Sequence, residues 1–482
     1  MILGITGQNH DASMALMDGQ NIVWAAHSER YSRTKNDEHL NSEIIKDMYQ
    51  YGSPTSVVWF EKPNQKSLRR LWAGQTPWYE HPKHELKALG LGRLPIEYVG
   101  HHESHAAGGF YTSGFTDASV LVVDAIGEWD TVSIWQADSK SMKKVWGKKY
   151  PNSIGLFYTA FTDYLGLKPN EEEYILMGMA AFGKPVLAEY FKKEFFTKFK
   201  GPNFKLRHNL HRGCRWWENL GGVSKFDIAA SVQAVMEEYL VNTVNWIKNN
   251  LPSDNLVFMG GCALNCVANS RIANIYKNVW IMPNPGDAGS AIGAVAAYTK
   301  QHLAWTTPYL GTDIDRELDI ESIVADLLNG KVVAVANGRA EFGPRALGNR
   351  SLLCDPRGKD AKPRMNQLKK REEFRPFAPA ILEEHADTYF DMPVKSSPYM
   401  QFVARCRIPN EFPGICHVDN TSRVQTVNHA DNPKFRALLE LWYKKSGCPM
   451  LMNTSLNIKG EPLVNSWADA QRWQQLNGVQ VF

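Results

Sequence analysis

Apolar residues dominate 2–6 (ILGIT) and 13–17 (SMALM), with the polar stretch GQNHDA between them, so the pattern predicts two strands joined by a short loop. Asp18-Gly19 then predicts a hairpin turn into a third strand, NIVWAA at 21–26. The same alternation returns at SVLVVDAIG (119–127) and DTVSIWQAD (130–138), again with Asp and Gly at the turn. A strand–loop–strand unit that occurs twice is how an internally duplicated nucleotide-binding fold reads in sequence. Between the two occurrences the pattern predicts a helix at 41–51, a strand at 56–61 and a basic stretch at 62–93.

Further on, 153–167 is an amphipathic helix pattern, and in NEEEYILMGMAAFG (170–183) Gly178 and Gly183 are expected to interrupt any helix. Residues 227–250 carry apolar positions at three and four spacing and predict a long helix leading to the buried strand NLVFMG (255–260). A Gly260-Gly261 turn and a helix near Cys262 follow, then a short strand at 278–283 and the loop NPGDAGSAIG (284–293), which opens another helix. The segment 303–325, with Pro308 and Gly311, reads as a linker, and KVVAVANG (331–338) starts afresh as a buried strand. Two domains are therefore expected, 1–325 and 326–482.

The 482 residues are too many for one hydrophobic core. A content of 44% hydrophobic and 22% charged residues is that of a globular protein, which excludes disordered and fibrous classes. The N-terminal sequence lacks the basic and apolar regions of a secretory signal, and no long apolar run occurs, so no membrane association and a cytoplasmic location are expected. Seven cysteines without a CxxC pair argue against a disulfide framework and a thiolate zinc site, and Cys262 and Cys266 read as small buried residues. The net charge of +4 does not by itself imply a polyanion partner.

Against this background several residues stand out for their chemistry. In HHESH, His101 and His105 are four apart, so on one helical turn both imidazoles face the same way and can grip one cation. That spacing alone is shared with many surface histidines. Asp124 at the end of a strand and Asp287 between glycines at a sheet mouth would complete a mixed nitrogen and oxygen set for Fe²⁺, Mn²⁺ or Zn²⁺. Gly260-Gly261 between a strand and a helix permits close approach of a nucleotide or phosphate, although an ordinary turn reads the same way. In the second half, GRAEFGPRALGNRS (338–351) places Arg339, Arg345 and Arg350 among glycines, and KKREEFRPFAP (369–379) adds Lys369, Lys370, Arg371 and Arg375. Apolar and proline neighbours argue that these cations are partly buried and need an anion, for which the arginine fork suits phosphate. Arg423, Ser455 and Asn457 join them from later strand-to-loop positions.

Taken together, GITGQNHDAS (4–13), SERYSRTKND (28–37), VGHHESHAA (99–107), VVDAIGEWD (122–130), MGMAAFG (177–183), GGCALN (260–265), NPGDAGSAIGA (284–294), EFGPRALGNRSLLCDPR (341–357), REEFRPFAP (371–379), HVDNTSRVQTV (417–427) and NTSLNIKGEP (453–462) resemble the O-carbamoyltransferase family of the nodulation, tobramycin and cephamycin carbamoyltransferases. The resemblance implies an α/β protein with two parts. The first is a duplicated actin-like ATPase (ribonuclease H-like) domain similar to the tRNA threonylcarbamoyl-transfer protein, and the second a smaller α/β carbamoyl-adenylate-forming domain. It implies carbamoyl phosphate and ATP with Mg²⁺ as substrates, and a divalent metal, iron first with Mn²⁺ or Zn²⁺ as alternatives, held by His101, His105, Asp124 and Asp287. It places His10 beside the carbamoyl group and a nucleotide on Gly178, Gly260, Gly261 and Asn265. Lys370, Arg345, Arg375, Arg423 and Ser455 would receive carbamoyl phosphate, with Arg345 and Ser455 also counted as catalytic.

The sequence departs from the family at Ala125, where glycine is more usual, and at Leu456, where phenylalanine is. It is also shorter than most relatives, so no particular acceptor is carried over. A hydroxyl on a small molecule (sugar, antibiotic or other natural product) is the first expectation. Two basic and aromatic segments keep open a hydroxymethylated base in DNA: 184–215, with nine Lys or Arg against two Glu, and 62–93, with seven against two and Trp72, Trp78 and Tyr79. Amphipathic helices with phenylalanine inside explain the same segments more simply. A non-catalytic actin-like nucleotide-binding protein is the reading from another class. The oligomeric state is not legible.

Overall fold

A computed structural model of the chain describes residues 1–75, 81–217 and 222–482. Trp78 and Tyr79 lie outside the described residues. The chain divides into two compact units, Met1–Ser28 with Asn36–Trp305, and Thr306–Phe482 with Glu29–Lys35.

In the first unit, β1 (Ile2–Thr6), β2 (Ser13–Asp18), β3 (Asn21–His27), β4 (Ser56–Trp59) and β5 (Ile96–Tyr98) form one sheet in the order β3-β2-β1-β4-β5. The Asp18-Gly19 hairpin is present, with Gly19 at φ 57, as a tight turn of this kind requires. A second sheet contains β6 (Asp117–Val123), β7 (Asp130–Asp138) and β8 (Met142–Lys149), followed across β6 by the strands Asn255–Met259 and Asn278–Trp280. In each sheet three consecutive strands pair antiparallel, and two later strands add in parallel beside the first of the three. The two sheets thus share one strand order.

The helices His101–Thr112 and Ser290–Thr299 cross with almost no side chain between them. A Cβ on Gly293 would stand 2.0 Å from the Ser104 carbonyl oxygen, and one on Gly4 of β1 would stand 1.8 Å from that of Ala291. Glycine is therefore required at both contacts, and the backbones carrying His101, His105 and Asp287 are held close together.

The second unit is built on a five-stranded mixed sheet, Val333–Ala336, Arg350–Cys354, Met450–Ser455, Ala378–Leu382 and Gln425–Val427 in spatial order. Its core includes Leu352, Leu439 and Trp442, all fully buried.

Two expectations need correction. The expected linker at 303–325 is structured: Tyr309–Ile314 is a strand pairing with Gly338–Glu341, and Ile320–Leu328 is a helix burying Ile323, Val324 and Leu327. As compact units the chain divides at 305–306. Gly178 does not interrupt a helix but lies within Glu173–Ala180, where apolar neighbours pack against the long helix Lys225–Asn250 and outweigh the glycine's propensity. The segment Glu29–Lys35 joins the second unit through specific bonds: Arg30 donates to the Gly343 carbonyl at 2.7 Å, and Arg33 to those of Leu463 at 2.6 Å and Pro462 at 3.0 Å.

Candidate metal centre and cationic face

His101 and His105 occupy the first two turns of His101–Thr112. The Glu128 carboxylate fixes that helix start by accepting from the His101 and Lys62 amides at 3.0 and 2.8 Å, the favoured place for negative charge on a helix. Asp124 follows β6 directly, and Asp287 opens the turn before Ser290–Thr299.

These four residues converge, all buried. His101 Nε2 and His105 Nε2 are 3.2 Å apart; Asp124 Oδ2 lies 3.2 and 3.3 Å from them, and Asp287 Oδ1 lies 3.3 and 3.2 Å. All four donor atoms lie within 4.8 Å of one another, close enough to share a single ion. Two imidazole nitrogens face each other at the centre, and one proton between them cannot serve both carboxylates as well. The donor set of two imidazoles and two carboxylates is one for a borderline divalent cation.

Three of the four ligands are hydrogen-bonded from behind, as metal ligands generally are. His105 Nδ1 meets Ser290 Oγ at 3.1 Å, and Asp124 Oδ1 accepts from the Ala125 amide at 2.7 Å. Asp287 Oδ2 accepts from Asn9 Nδ2 at 2.9 Å. His101 Nδ1 faces Glu61 Oε2 at 3.8 Å, and Glu61 is clamped by Lys66 Nζ at 2.5 Å. Burial opposes every charge here, and Asp287 opposes Asp124, yet the imidazoles hold both carboxyls below the usual range. The carboxylates in turn hold His101 and His105 above the usual imidazole value.

His10 sits at the edge of this cluster, with Nδ1 2.9 Å from Asp11 and Nε2 3.8 Å from Asp287 Oδ2. Burial works against its charge, but Asp11, then Asp287 and Asp124, raise it to about 10. His102 points away: its Nδ1 meets Ser133 Oγ at 2.8 Å, and burial followed by the charge of His101 keeps it neutral.

Of the expected nucleotide residues, Gly260 has φ 92, and a Cβ there would meet the Val123 carbonyl oxygen at 2.3 Å, while one on Gly261 would stand 3.1 Å from Asp124 Oδ1. The turn is thereby pressed against the strand end that carries Asp124. Asn265 caps the helix Cys266–Ala273 and exchanges both amide bonds with Gln233. Gly178 has open space where a Cβ would stand, and Met177 beside it reaches Cys266 at 3.9 Å. Cys266 is buried, in keeping with a packing role.

In the second unit, strand polarity gathers the expected residues. Arg350–Cys354 and Ala378–Leu382 both run antiparallel to Met450–Ser455, and Gln425–Val427 runs parallel to Ala378–Leu382. Arg345, Arg375 and Arg423 precede the starts of three strands, and Ser455 ends the fourth, so all four lie at one edge of the sheet. Asn453 ties that edge together by donating to the Ala346 carbonyl and to Gln425. Glu341 shapes the loop bearing Arg345 by accepting from the amides of Leu347, Asn349 and Arg350.

The other expected cations separate from this group. Arg350 is fully buried, and its guanidinium donates to the carbonyls of Asn465, Asn337, Gly338, Asn349 and Thr312, so its charge is met by the chain itself. Arg339 donates to Leu310 and Gly311 carbonyls. Lys370 is exposed in the left-handed region at φ 50, whereas its neighbour Lys369 is buried with Nζ on Ser455 Oγ at 3.1 Å, Asn457 Oδ1 at 2.8 Å and the carbonyls of both. Burial, then Arg371 and Arg375, lower the Lys369 amine well below the ordinary lysine value, while the surrounding oxygens favour the ammonium. Sequence reasoning missed Lys369 as the buried partner of Ser455, as well as Glu61, Ser290 and Asn9 behind the ligands.

Of the aromatic residues in 184–215, Phe191, Phe195, Phe196 and Phe204 are buried, as amphipathic packing requires, and are not available to stack on bases. No described helix is long and apolar enough to cross a membrane.

Fold and site define a two-unit α/β protein with a buried histidine–carboxylate cluster in one unit and a cationic sheet edge in the other. The chain belongs to the carbamoyltransferase family: the model of the carbamoyltransferase N-terminus matches residues 80–296, and that of the C-terminus matches 324–482. It is 33% identical to uncharacterized protein sll1178 of Synechocystis, over 98% of this chain and 93% of that one. It is 32% identical to nodulation protein NolO of Bradyrhizobium diazoefficiens, over 77% and 75%. Similarity to 3'-hydroxymethylcephem-O-carbamoyltransferase of Amycolatopsis lactamdurans is 26% over 98% and 95%.

Proposed function

We propose that this protein is an ATP-dependent O-carbamoyltransferase in which the second unit makes carbamoyl adenylate and the first transfers its carbamoyl group to the hydroxyl of a small molecule. The observation that carries the reading is the convergence of His101, His105, Asp124 and Asp287 on one point in a chain of this family. In the second unit, carbamoyl phosphate is hydrolysed to carbamate and phosphate. A carbamate oxygen then attacks the α-phosphorus of Mg-ATP, releasing pyrophosphate. Arg345, Arg375 and Arg423 at the sheet edge bind the phosphate, and Lys369 orders the Ser455–Asn457 turn against it. We assign the ordering of this turn to Lys369, which is buried, while Lys370 beside it is exposed.

In the first unit, which we read as the duplicated actin-like domain because its two sheets share a strand order, the adenylate lies against the backbone at Gly178 and Gly261. Gly260 and Asn265 shape that turn. Carbamate is a poor electrophile until adenylation supplies a leaving group. A divalent ion, iron first with Mn²⁺ or Zn²⁺ as alternatives, would be held by the two histidines and two aspartates and would supply Lewis acidity at the carbamoyl carbonyl. The acceptor oxygen bonds to the carbamoyl carbon, the bond from that carbon to the phosphate oxygen breaks, and AMP departs. His10, oriented by Asp11, receives or passes on the proton that the acceptor hydroxyl loses in this step.

The test is incubation with carbamoyl phosphate and ATP without acceptor, followed for pyrophosphate and carbamoyl adenylate. Both are expected from the wild type and neither from Arg345→Ala. If the wild type yields neither in metal-replete form, the reading fails.

A further inference from the structure

Arg69 is a buried cation that the transfer chemistry leaves unused. It lies in the last turn of the helix Pro63–Trp72, one turn after Lys66, and is 6% exposed. Its Nε is buried with no hydrogen-bond partner among the described residues, and its Nη1 reaches Gln75 Oε1 at a long 3.4 Å. Glu61, the carboxylate whose charge it feels, is held by Lys66 at 2.5 Å instead. The partial negative charge of the helix end favours a cation here but gives Nε no acceptor. Burying a guanidinium without a counter-charge is costly, so this one calls for an anion from outside the chain.

Its surroundings add aromatic surface and more positive charge. The guanidinium carbon stands 5.7 Å from the centre of the buried Tyr150 ring. Trp72, which is exposed, meets Tyr150 and Trp129 edge-on with ring centres 6.1 and 5.9 Å apart. His211 touches the same tyrosine, with ring centres 5.5 Å apart. The Tyr150 hydroxyl accepts from Asn209 Nδ2 at 2.6 Å and gives its own proton to His211 Nδ1 at 3.2 Å, which leaves the imidazole N–H on Nε2. Burial first, then the charges of Arg69, Arg212 and Arg70, lower the His211 imidazole, and no carboxylate of the described residues offsets them there. Cations thus gather around Tyr150 without a matching acid.

We infer that Arg69, His211 and Arg212 form a binding site for the phosphate group of a small molecule in the first unit, with Tyr150 and Trp72 as its apolar wall. A guanidinium fork pairs with two phosphate oxygens, and an imidazole N–H can donate to a third, a set that suits a tetrahedral dianion better than a planar carboxylate. Arg212 is exposed and marks the side open to solvent. The Trp72 ring suits the organic part of a phosphate monoester. The inference does not rest on the O-carbamoyl-transfer reading, since it uses none of the residues assigned there.

The test is calorimetric titration with inorganic phosphate and, separately, with phenyl phosphate. It uses the full chain carrying Arg345→Ala, so that the phosphate group of the second unit is disabled. At least one of the two ligands is expected to bind at one site per chain, with affinity reduced at least tenfold when Arg69→Gln or His211→Phe is added. Tighter binding of phenyl phosphate assigns the site to a monoester laid on Trp72, and tighter binding of inorganic phosphate assigns it to the free ion; either order supports the site. An unchanged melting temperature shows that each variant folds, and if Arg69→Gln fails to fold, His211→Phe at the half-buried ring decides alone. The inference is overturned if neither ligand binds, or if either folded variant binds as strongly as Arg345→Ala alone.

Discussion

The histidine–carboxylate cluster and the cationic sheet edge gather their residues to different degrees. In the first unit all four expected ligands arrive at one point, the two imidazole nitrogens 3.2 Å apart and each 3.2–3.3 Å from both carboxylate oxygens. In the second unit a run of arginines and lysines divides into residues at the sheet edge and residues consumed by the fold, Arg350 being the clearest of the latter. The difference lies in the chemistry of the side chains. A buried histidine or aspartate has few ways to be satisfied, whereas arginine can be fully occupied by backbone carbonyls anywhere in a fold.

The comparison can be broken at its strongest point first. His101→Ala should remove bound metal and lower carbamoyl transfer about 10³-fold, read by metal analysis and acceptor mass shift, because only a nitrogen ligand is lost and three donors remain without closure. In the second unit Lys369→Met should lower pyrophosphate release about 100-fold while Lys370→Met changes it less than about threefold. Equal effects would show that the burial of Lys369 has no functional meaning. Glu61→Gln should weaken metal affinity by about 10–100-fold, measured by chelator competition, the usual cost of losing an outer-shell partner. Arg350→Met should cost about 3 kcal/mol or more by leaving buried carbonyls unsatisfied. Denaturant titration would register that loss, and the folded fraction would keep its KM for carbamoyl phosphate.

The smallest effect concerns pH. His101 and His105 have raised values in the metal-free chain, so below those values protons compete with the ion for Nε2. Metal affinity should therefore rise as pH rises through that range, with a slope of up to about two protons per ion. A flat profile would mean that the imidazoles do not bind the metal.

Much of the first unit was legible because alternation, Asp-Gly turns and strand-end aspartates are local signals. The helix spacing of His101 and His105 belongs to the same class. What could not be read depends on distant partners. Tyr309–Ile314 carries Thr312 and Asp313 and follows Pro308, so it reads as a linker until Gly338–Glu341 is seen beside it. Gly178 looks like a helix breaker until the long helix packs on its neighbours. Lys369 and Lys370 are adjacent, and only the end of the helix Ala361–Leu368 decides which of them turns toward Ser455. Glu61 and Ser290 are far in sequence from the histidines they support.

The central claim is a division of labour, activation in the second unit and transfer at the cluster in the first. Pyrophosphate release from carbamoyl phosphate and ATP, measured side by side in the wild type and in Asp287→Asn, tests it most directly. The account predicts that both proteins release pyrophosphate and form carbamoyl adenylate while only the wild type carbamoylates an acceptor. Loss of pyrophosphate release in Asp287→Asn, with the fold intact, would contradict it.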